Sequence, residues 1–217
     1  MILREEDKPE IGKRLETMVD PVRFVFFTQL LAGACEYCRE TEQLLKELTG
    51  LHEKLSLDVK NFVTDTADVQ KYGIDKIPAT AVVGKSVLRV RFYGIPSGYE
   101  FVTLLETVLK ASTGESGLTP VSKQKIQTVK KPVHLQVFVT PTCPYCPGAA
   151  LAGVQFAMEN PFISTDIIEI TEFPHLAHKF GVMGVPKTII NQTRSIEGAV
   201  PEGIFLEHIM EAVKDSM

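Results

Sequence analysis

Two α/β units of like design, placed in tandem and each a mixed sheet flanked by helices, are what the order of residues in this 217-residue chain points to. Three observations carry the expectation. Cys35-Glu36-Tyr37-Cys38 is matched later in the chain by Cys143-Pro144-Tyr145-Cys146. An apolar residue and a proline follow each pair at one fixed distance: 43 residues lead from Cys35 to Pro78, and 43 again from Cys143 to Pro186. Around both motifs, short β-type runs alternate with helical periodicity in the same order, which is the pattern of a sheet covered by helices. The period exceeds 100 residues, far too long for a solenoid, so the copies are domains.

In the first copy Pro9 opens a helix carrying Ile11, Leu15 and Met18, and Val22 to Thr28 is an apolar run of strand type. A helical pattern follows Cys35, with Leu44, Leu45, Leu48, Leu51 and Leu55 expected on one face. Leu57 to Phe62 reads as a strand, Ala67 to Tyr72 as a short helix, Thr80 to Val83 and Arg89 to Tyr93 as strands, and Tyr99 to Lys110 as the last helix. The second copy repeats this with Val133 to Thr140, Cys143 to Met158, Thr165 to Ile170, His175 to Phe180, Lys187 to Asn191, Arg194 to Glu197 and Ile204 to Val213. Pro9, Leu15 and Pro21 precede Pro120, Ile126 and Pro132 by 111 residues. After extra residues in the first copy, Gln29 to Ala34, the offset becomes 108, and Lys71-Tyr72-Gly73-Ile74 falls on Lys179-Phe180-Gly181-Val182. Ser112-Thr113-Gly114-Glu115-Ser116-Gly117 is a small, polar stretch between them, which divides the chain into residues 1–115 and 116–217. Because this linker leads straight into a helix at Pro120, the two units should pack against each other.

Composition narrows the function. Net charge is −4 with no basic run, which argues against a nucleic-acid surface. No stretch approaches the roughly 20 apolar residues of a membrane span. The charged N-terminal segment, Met1 to Glu10, lacks an apolar signal core, so the expected location is the cytoplasm. All four cysteines lie in the two motifs, which in a reducing compartment points to redox chemistry or metal rather than structural bridges.

A cysteine that opens a helix faces unpaired N–H groups and the positive helix end, which favour the thiolate. Cys35 and Cys143 are therefore the expected nucleophiles, and Cys38 and Cys146, three positions on and less exposed, the resolving thiols. Each pair would cycle between dithiol and disulfide without a cofactor. Zinc is the competing reading, but 104 residues lie between Cys38 and Cys143, whereas zinc half-sites are usually about 15–20 apart. Glu36 places a negative charge beside Cys35, partly offset by Arg39, while Pro144 adds none, so the second site should dominate. Pro78 and Pro186, with Ile77 and Val185 before them, are the expected substrate-binding positions, able to pack on the sulfurs while a neighbouring backbone group pairs with an extended peptide.

These residues together resemble the thioredoxin superfamily, and Cys143-Pro144-Tyr145-Cys146 is the motif typical of glutaredoxins. Two such units in tandem are similar to the protein disulfide oxidoreductases of thermophiles, glutaredoxin-like relatives of protein disulfide isomerase. The resemblance implies two thioredoxin folds side by side, cis bonds at Pro78 and Pro186, protein thiol and disulfide substrates, and a thioredoxin-reductase-type flavoenzyme as electron donor. It implies no metal.

The chain departs from that pattern in one respect. Thioredoxins keep an acid in the strand before the cysteines, and neither Val22–Thr28 nor Val133–Thr140 contains one. Glu169, in Ile167-Ile168-Glu169-Ile170, is the candidate proton shuttle, set against a carboxylate that merely faces solvent; its counterpart in the first copy is the neutral Asn61. Gly184-Val185-Pro186 and Lys187 only partly match a glutathione site. His175 and His178, one helical turn apart, read as a solvated face for want of a third ligand. Two alternatives stand beside the oxidoreductase: the electron-relay module of an alkyl hydroperoxide reductase, and a non-catalytic, chaperone-like peptide binder. The relay module keeps one Cys-x-x-Cys and is fused to a flavin domain; here both pairs are present, without a G-x-G-x-x-G fingerprint after a strand.

Overall fold

Apolar runs bounded by turn residues form strands, and the leucine-rich stretches form helices, in the computed structural model, which describes residues 2–29, 35–85 and 87–215. The first copy contains α1 (Lys8–Leu15), β1 (Val22–Thr28), α2 (Cys38–Thr49), β2 (Leu55–Asn61), α3 (Thr66–Tyr72), β3 (Ala79–Val83), β4 (Val87–Tyr93) and α4 (Glu100–Thr113). The second contains α5 (Pro120–Ile126), β5 (Val133–Val139), α6 (Cys146–Glu159), β6 (Ile163–Glu169), α7 (Pro174–Phe180), β7 (Lys187–Ile190), β8 (Arg194–Glu197) and α8 (Glu202–Asp215). Of the first copy's extra residues, 30–34 lie outside the described residues.

β1 and β5 are buried on both faces apart from Arg23 and the half-buried His134, as continuous apolar runs in a central strand must be. The leucine stripe of the first copy continues past its helix. α2 ends at Thr49 with Gly50 beyond it, so only Leu44, Leu45 and Leu48 belong to the helical face. Leu51 lies in the turn and Leu55 starts β2, two residues earlier than the expected strand. A 3.6-residue repeat cannot reveal where the backbone stops obeying it. The helix expected from Cys143 starts instead at Cys146, because Cys143 is held in a turn: its N–H donates to the Thr140 carbonyl at 3.2 Å, and its own carbonyl accepts from the Cys146 N–H at 3.4 Å.

The eight strands make one sheet in the order β2-β1-β3-β4-β6-β5-β7-β8. Each copy contributes the same sequence of neighbours, so the second repeats the first by translation along the sheet. The join is a parallel pairing of β4 with β6, from Val90 opposite Thr165 to Tyr93 opposite Ile168. β1 also runs parallel to β2, and β5 to β6, while β3 and β7 run the other way. Both Cys-x-x-Cys motifs therefore leave the same edge of the sheet. Four strand steps separate β1 from β5, on the order of 19 Å.

The sheet has two cores. One face carries a core from Phe24 and Leu48 through Leu104 and Val154 to Ile209, and Cys38, Cys143 and Cys146 belong to it. The other carries Val25, Phe27, Tyr72, Ile168 and Leu176 beneath α3 and α7. On that second face the seam is polar. Arg91 Nε donates to Asp166 Oδ1 at 2.5 Å, His134 Nε2 lies 2.6 Å from Asp166 Oδ2, and Arg91 also donates to the Gly73 carbonyl at 3.0 Å. Burial alone would raise the Asp166 carboxyl, but His134 and Arg91 outweigh it and hold it below its ordinary value.

Candidate redox sites

In the first site Cys35 and Cys38 form a disulfide with Cα atoms 5.5 Å apart; Cys38 is buried and Cys35 half-buried. Cys143 and Cys146 are bonded likewise, with Cα atoms 5.4 Å apart and both residues buried. The helix starts one residue after each tyrosine, Tyr37 and Tyr145, so the second cysteine of each pair is the first helical residue. The leading cysteine nonetheless receives the helix-end N–H groups: the Cys146 amide points at Cys143 Sγ, 3.1 Å away. A thiolate formed there on reduction is stabilised by that amide and by the positive helix end.

The peptide bonds Ile77–Pro78 and Val185–Pro186 are both cis. Val185 places its carbonyl oxygen 3.7 Å from Cys143 Sγ, so the proline loop and the sulfur meet directly. The loop also carries Met183, 96% exposed, and Tyr145 of the motif is 73% exposed. Both side chains offer apolar contact area; Tyr145 lies within the Cys-x-x-Cys motif, whereas no motif position singles out Met183. His175 and His178 are exposed on α7, and no cluster of metal-ligating side chains occurs among the described residues.

Glu169 is not at the surface. It is 4% exposed at the end of β6, which rules out the solvent-facing alternative. Its carboxylate is engaged by its own turn, accepting from the Thr171 hydroxyl at 2.6 Å, the Thr171 amide at 3.3 Å and the Glu172 amide at 3.0 Å. Asn61 ends β2 with the same device, its Oδ1 accepting from the Val63 and Thr64 amides at 2.9 and 3.1 Å.

A different acid is buried near the second redox loop. Glu100 begins α4 of the first copy and is 1% exposed. α4 and α6 both start at the sheet edge from which the cysteines emerge, and they pack side by side. Glu100 shares a small cavity with Ile95, Pro96, Val139, Ile167 and Glu169, directly beneath the loop from β5 to Cys143. Neither of its oxygens has a hydrogen-bond partner among the described residues, and burial pushes its carboxyl up to about 7, opposed by the nearby Thr103. The chain holds it there through a close approach: the Tyr99 N–H donates to the Pro141 carbonyl at 2.9 Å, and Gly98, at φ +59°, lies where a Cβ would come within 2.3 Å of that oxygen. The second redox loop is thus braced by the first repeat. Nothing local in the sequence announces this, because a glutamate in the first turn of a helix ordinarily faces water.

Known proteins share the fold of both repeats. The thioredoxin-domain family matches residues 28–106 and 133–211. A protein disulfide oxidoreductase from Aeropyrum pernix K1 is 32% identical in sequence, with a TM-score of 0.92 over 99% of this chain and 95% of that one. The F subunit of the alkyl hydroperoxide reductase of Enterococcus faecalis superposes with a TM-score of 0.89 over 96% of this chain and 100% of the other, at 23% identity. Its namesake in Staphylococcus aureus (strain Mu50 / ATCC 700699) is 27% identical over 195 residues, 88% of this chain but 34% of its own length. The chain therefore spans about a third of the curated relatives it matches. Two matched domains, a near-complete superposition and an intact cysteine pair in each repeat lead to one assignment: this chain belongs to the thioredoxin-domain family, with the domain present twice.

Proposed function

We propose that the protein exchanges disulfides with polypeptide substrates at both cysteine pairs, the second carrying most of the turnover. The observation that carries this reading is the contact set at Cys143: a helix-end amide on its sulfur, the Val185–Pro186 loop against it and exposed apolar groups beside it. In substrate reduction the Cys143 thiolate attacks one sulfur of a substrate disulfide. That S–S bond breaks, a mixed disulfide forms, and the second substrate sulfur leaves as a thiolate and takes up a proton. Cys146 then loses its proton and attacks Cys143 Sγ, releasing the remaining substrate thiol. The substrate gains two electrons and two protons, and the protein keeps a disulfide. Glu100, an acid near neutrality beneath this site, is our candidate to receive the Cys146 proton; Glu169, tied up by its own turn, is the poorer one. Cys35 and Cys38 play the same parts in the first unit, with Ile77 and Pro78 beside them, the division between units falling near residue 115.

Re-reduction of the disulfides fits a flavoenzyme of the thioredoxin-reductase type, with no cofactor in this chain. We place the protein in the cytoplasm, consistent with cysteines confined to the two motifs; no helix among the described residues is long and apolar enough to cross a membrane. Likeness to the peroxide-reductase proteins favours a second reading, electron relay to one dedicated partner. Reduction of insulin by dithiothreitol, followed by turbidity, separates the two. A general oxidoreductase accelerates it, Cys143→Ser removes most of the rate, and Cys35→Ser removes less. Absence of acceleration by the unsubstituted chain would favour the dedicated relay.

A further inference from the structure

The seam between the repeats is polar on the face that carries α3 and α7, and it is also hollow there. A cavity of about 400 Å³ is lined by Gln70, Lys71 and Gly73 at the end of α3, by Arg89 and Arg91 of β4, and by Ser164 of β6. Both repeats therefore contribute to it. β4 is an interior strand, between β3 and β6, and such a strand ordinarily presents apolar side chains to a covering helix. Here alternate positions put Arg89 and Arg91 on that face instead.

The charges do not cancel. Arg91 donates from Nε to Asp166 and from Nη1 to the Gly73 carbonyl, so its guanidinium is fixed before any ligand arrives. Asp166 is neutralised in return, and its other oxygen meets His134. Lys71 and Arg89 are exposed, and neither forms an ion pair among the described residues. Two positive charges are thus left over. The Ser164 hydroxyl makes one long bond, 3.5 Å to the Val133 carbonyl, and is free to turn toward a ligand. The second repeat supplies the comparison. Lys179 lies over the Phe180 ring as Lys71 lies over Tyr72. But the register places Ser195 opposite Ile189, where Arg91 stands opposite Ala81, and the arginine of β8, Arg194, is neutralised by Glu211 and Asp215.

We propose that this cavity binds a compact phosphate-bearing anion, held by Lys71, Arg89 and Arg91 of the first repeat with Ser164 donating from the second. Guanidinium groups match the oxygens of a phosphoryl group in pairs, and two unneutralised cations match a dianion. The rest of the cavity takes the body of a small phosphate ester. A nucleic-acid polymer is a poor fit, because the chain carries a net charge of −4 and these cations are gathered in a cavity rather than along a stripe. Arg89 and Ser164 lie near the starts of β4 and β6, whereas the cysteines follow the ends of β1 and β5, which run parallel to them. The ligand therefore sits at the edge away from the thiols and ties the repeats together instead of reacting with them.

Isothermal titration calorimetry of the full chain with sodium phosphate at pH 7.5, ionic strength held constant with sodium chloride, tests this. One saturable site per chain is expected. Lys71→Gln and Arg89→Gln should each weaken it by about tenfold, and Lys179→Gln, at the matching place in the second repeat, should leave it unchanged. Phosphate should also raise the Tm of the unsubstituted chain by mass action, and the doubly substituted chain should lose that rise. Adenosine 5′-monophosphate separates two sources of the phosphoryl group. Tighter binding than inorganic phosphate marks an ester as the ligand, equal or weaker binding marks free phosphate, and both support the site. Heat without saturation, or a Tm that phosphate does not move in the unsubstituted chain, would overturn the inference. So would Lys71→Gln and Arg89→Gln binding as tightly as the unsubstituted chain, or Lys179→Gln losing as much affinity as they do.

Discussion

Replacing Glu100 with Gln tests whether a buried acid from one repeat serves the redox site of the other. In the native state this carboxyl is held at about 7, against an ordinary value of 4.5, because it is 1% exposed and its oxygens lack partners among the described residues. A raised acid binds its proton more tightly in the folded chain than in the unfolded one. Below the ordinary value both states are protonated and burial of the group costs little. Between the two values the unfolded chain ionises and the native one does not, so stability falls as pH rises. Above the raised value the full penalty of about 3 kcal/mol is present, since a tenfold change in proton affinity is worth about 1.36 kcal/mol. Gln carries no charge at any pH and removes the penalty. Its gain over Glu should therefore be about 3 kcal/mol larger at pH 8.5 than at pH 4. For a chain of this length that is a difference in Tm on the order of 6–12 °C. Any fixed cost of burying an amide cancels in the comparison of the two pH values. Thermal unfolding followed by circular dichroism, with the thiol state fixed, reads the difference directly. An equal offset at pH 4 and pH 8.5 would refute the reasoning, because Glu100 would then be ionised or solvated throughout. If Glu100 also takes the Cys146 proton, insulin reduction by Glu100→Gln should fall by about a hundredfold or more near pH 7 and lose the ionisation in that range.

Further expectations concern the seam and the brace. Asp166→Ala leaves Arg91, 15% exposed, without its carboxylate, and should cost about 3–5 kcal/mol in urea unfolding; a loss under about 1 kcal/mol would show that the seam does not depend on this pair. Because the Asp166 carboxyl is depressed, the stability it contributes is present above the ordinary aspartate range and lost as pH falls through its lowered value, so Asp166→Ala should flatten the acid limb of a stability–pH curve. Gly98→Ala forces a Cβ onto the Pro141 oxygen at a residue with φ +59°, and should lower turnover at the second site while sparing the first, as read with Cys143→Ser and Cys146→Ser; equal loss at both would point to general unfolding. Removing Cys35 and Cys38 should impair refolding of scrambled ribonuclease more than insulin reduction, since isomerisation gains from two nearby sites.

The residue order alone determined the duplication, the two thiol pairs and the class of fold. Those are local facts: a spacing of 43 residues, an apolar run of strand length, a leucine repeat of helical period. Periodicity misled where its rule outlasted the structure, carrying the helix past Gly50 to Leu55 and back to Cys143. Packing of the units was legible from the short linker, but their fusion through β4 and β6 was not, because pairing between strands distant in sequence leaves no local mark. The acids were decided by tertiary structure alone. Glu169 was visible as a carboxylate in an apolar strand, yet its turn engages it, and Glu100 and Glu172, the latter accepting from the Ile95 amide, are unremarkable until the seam forms. A carboxyl's proton affinity depends on the water and charge around it, and for these two residues the surroundings are completed only by the other repeat.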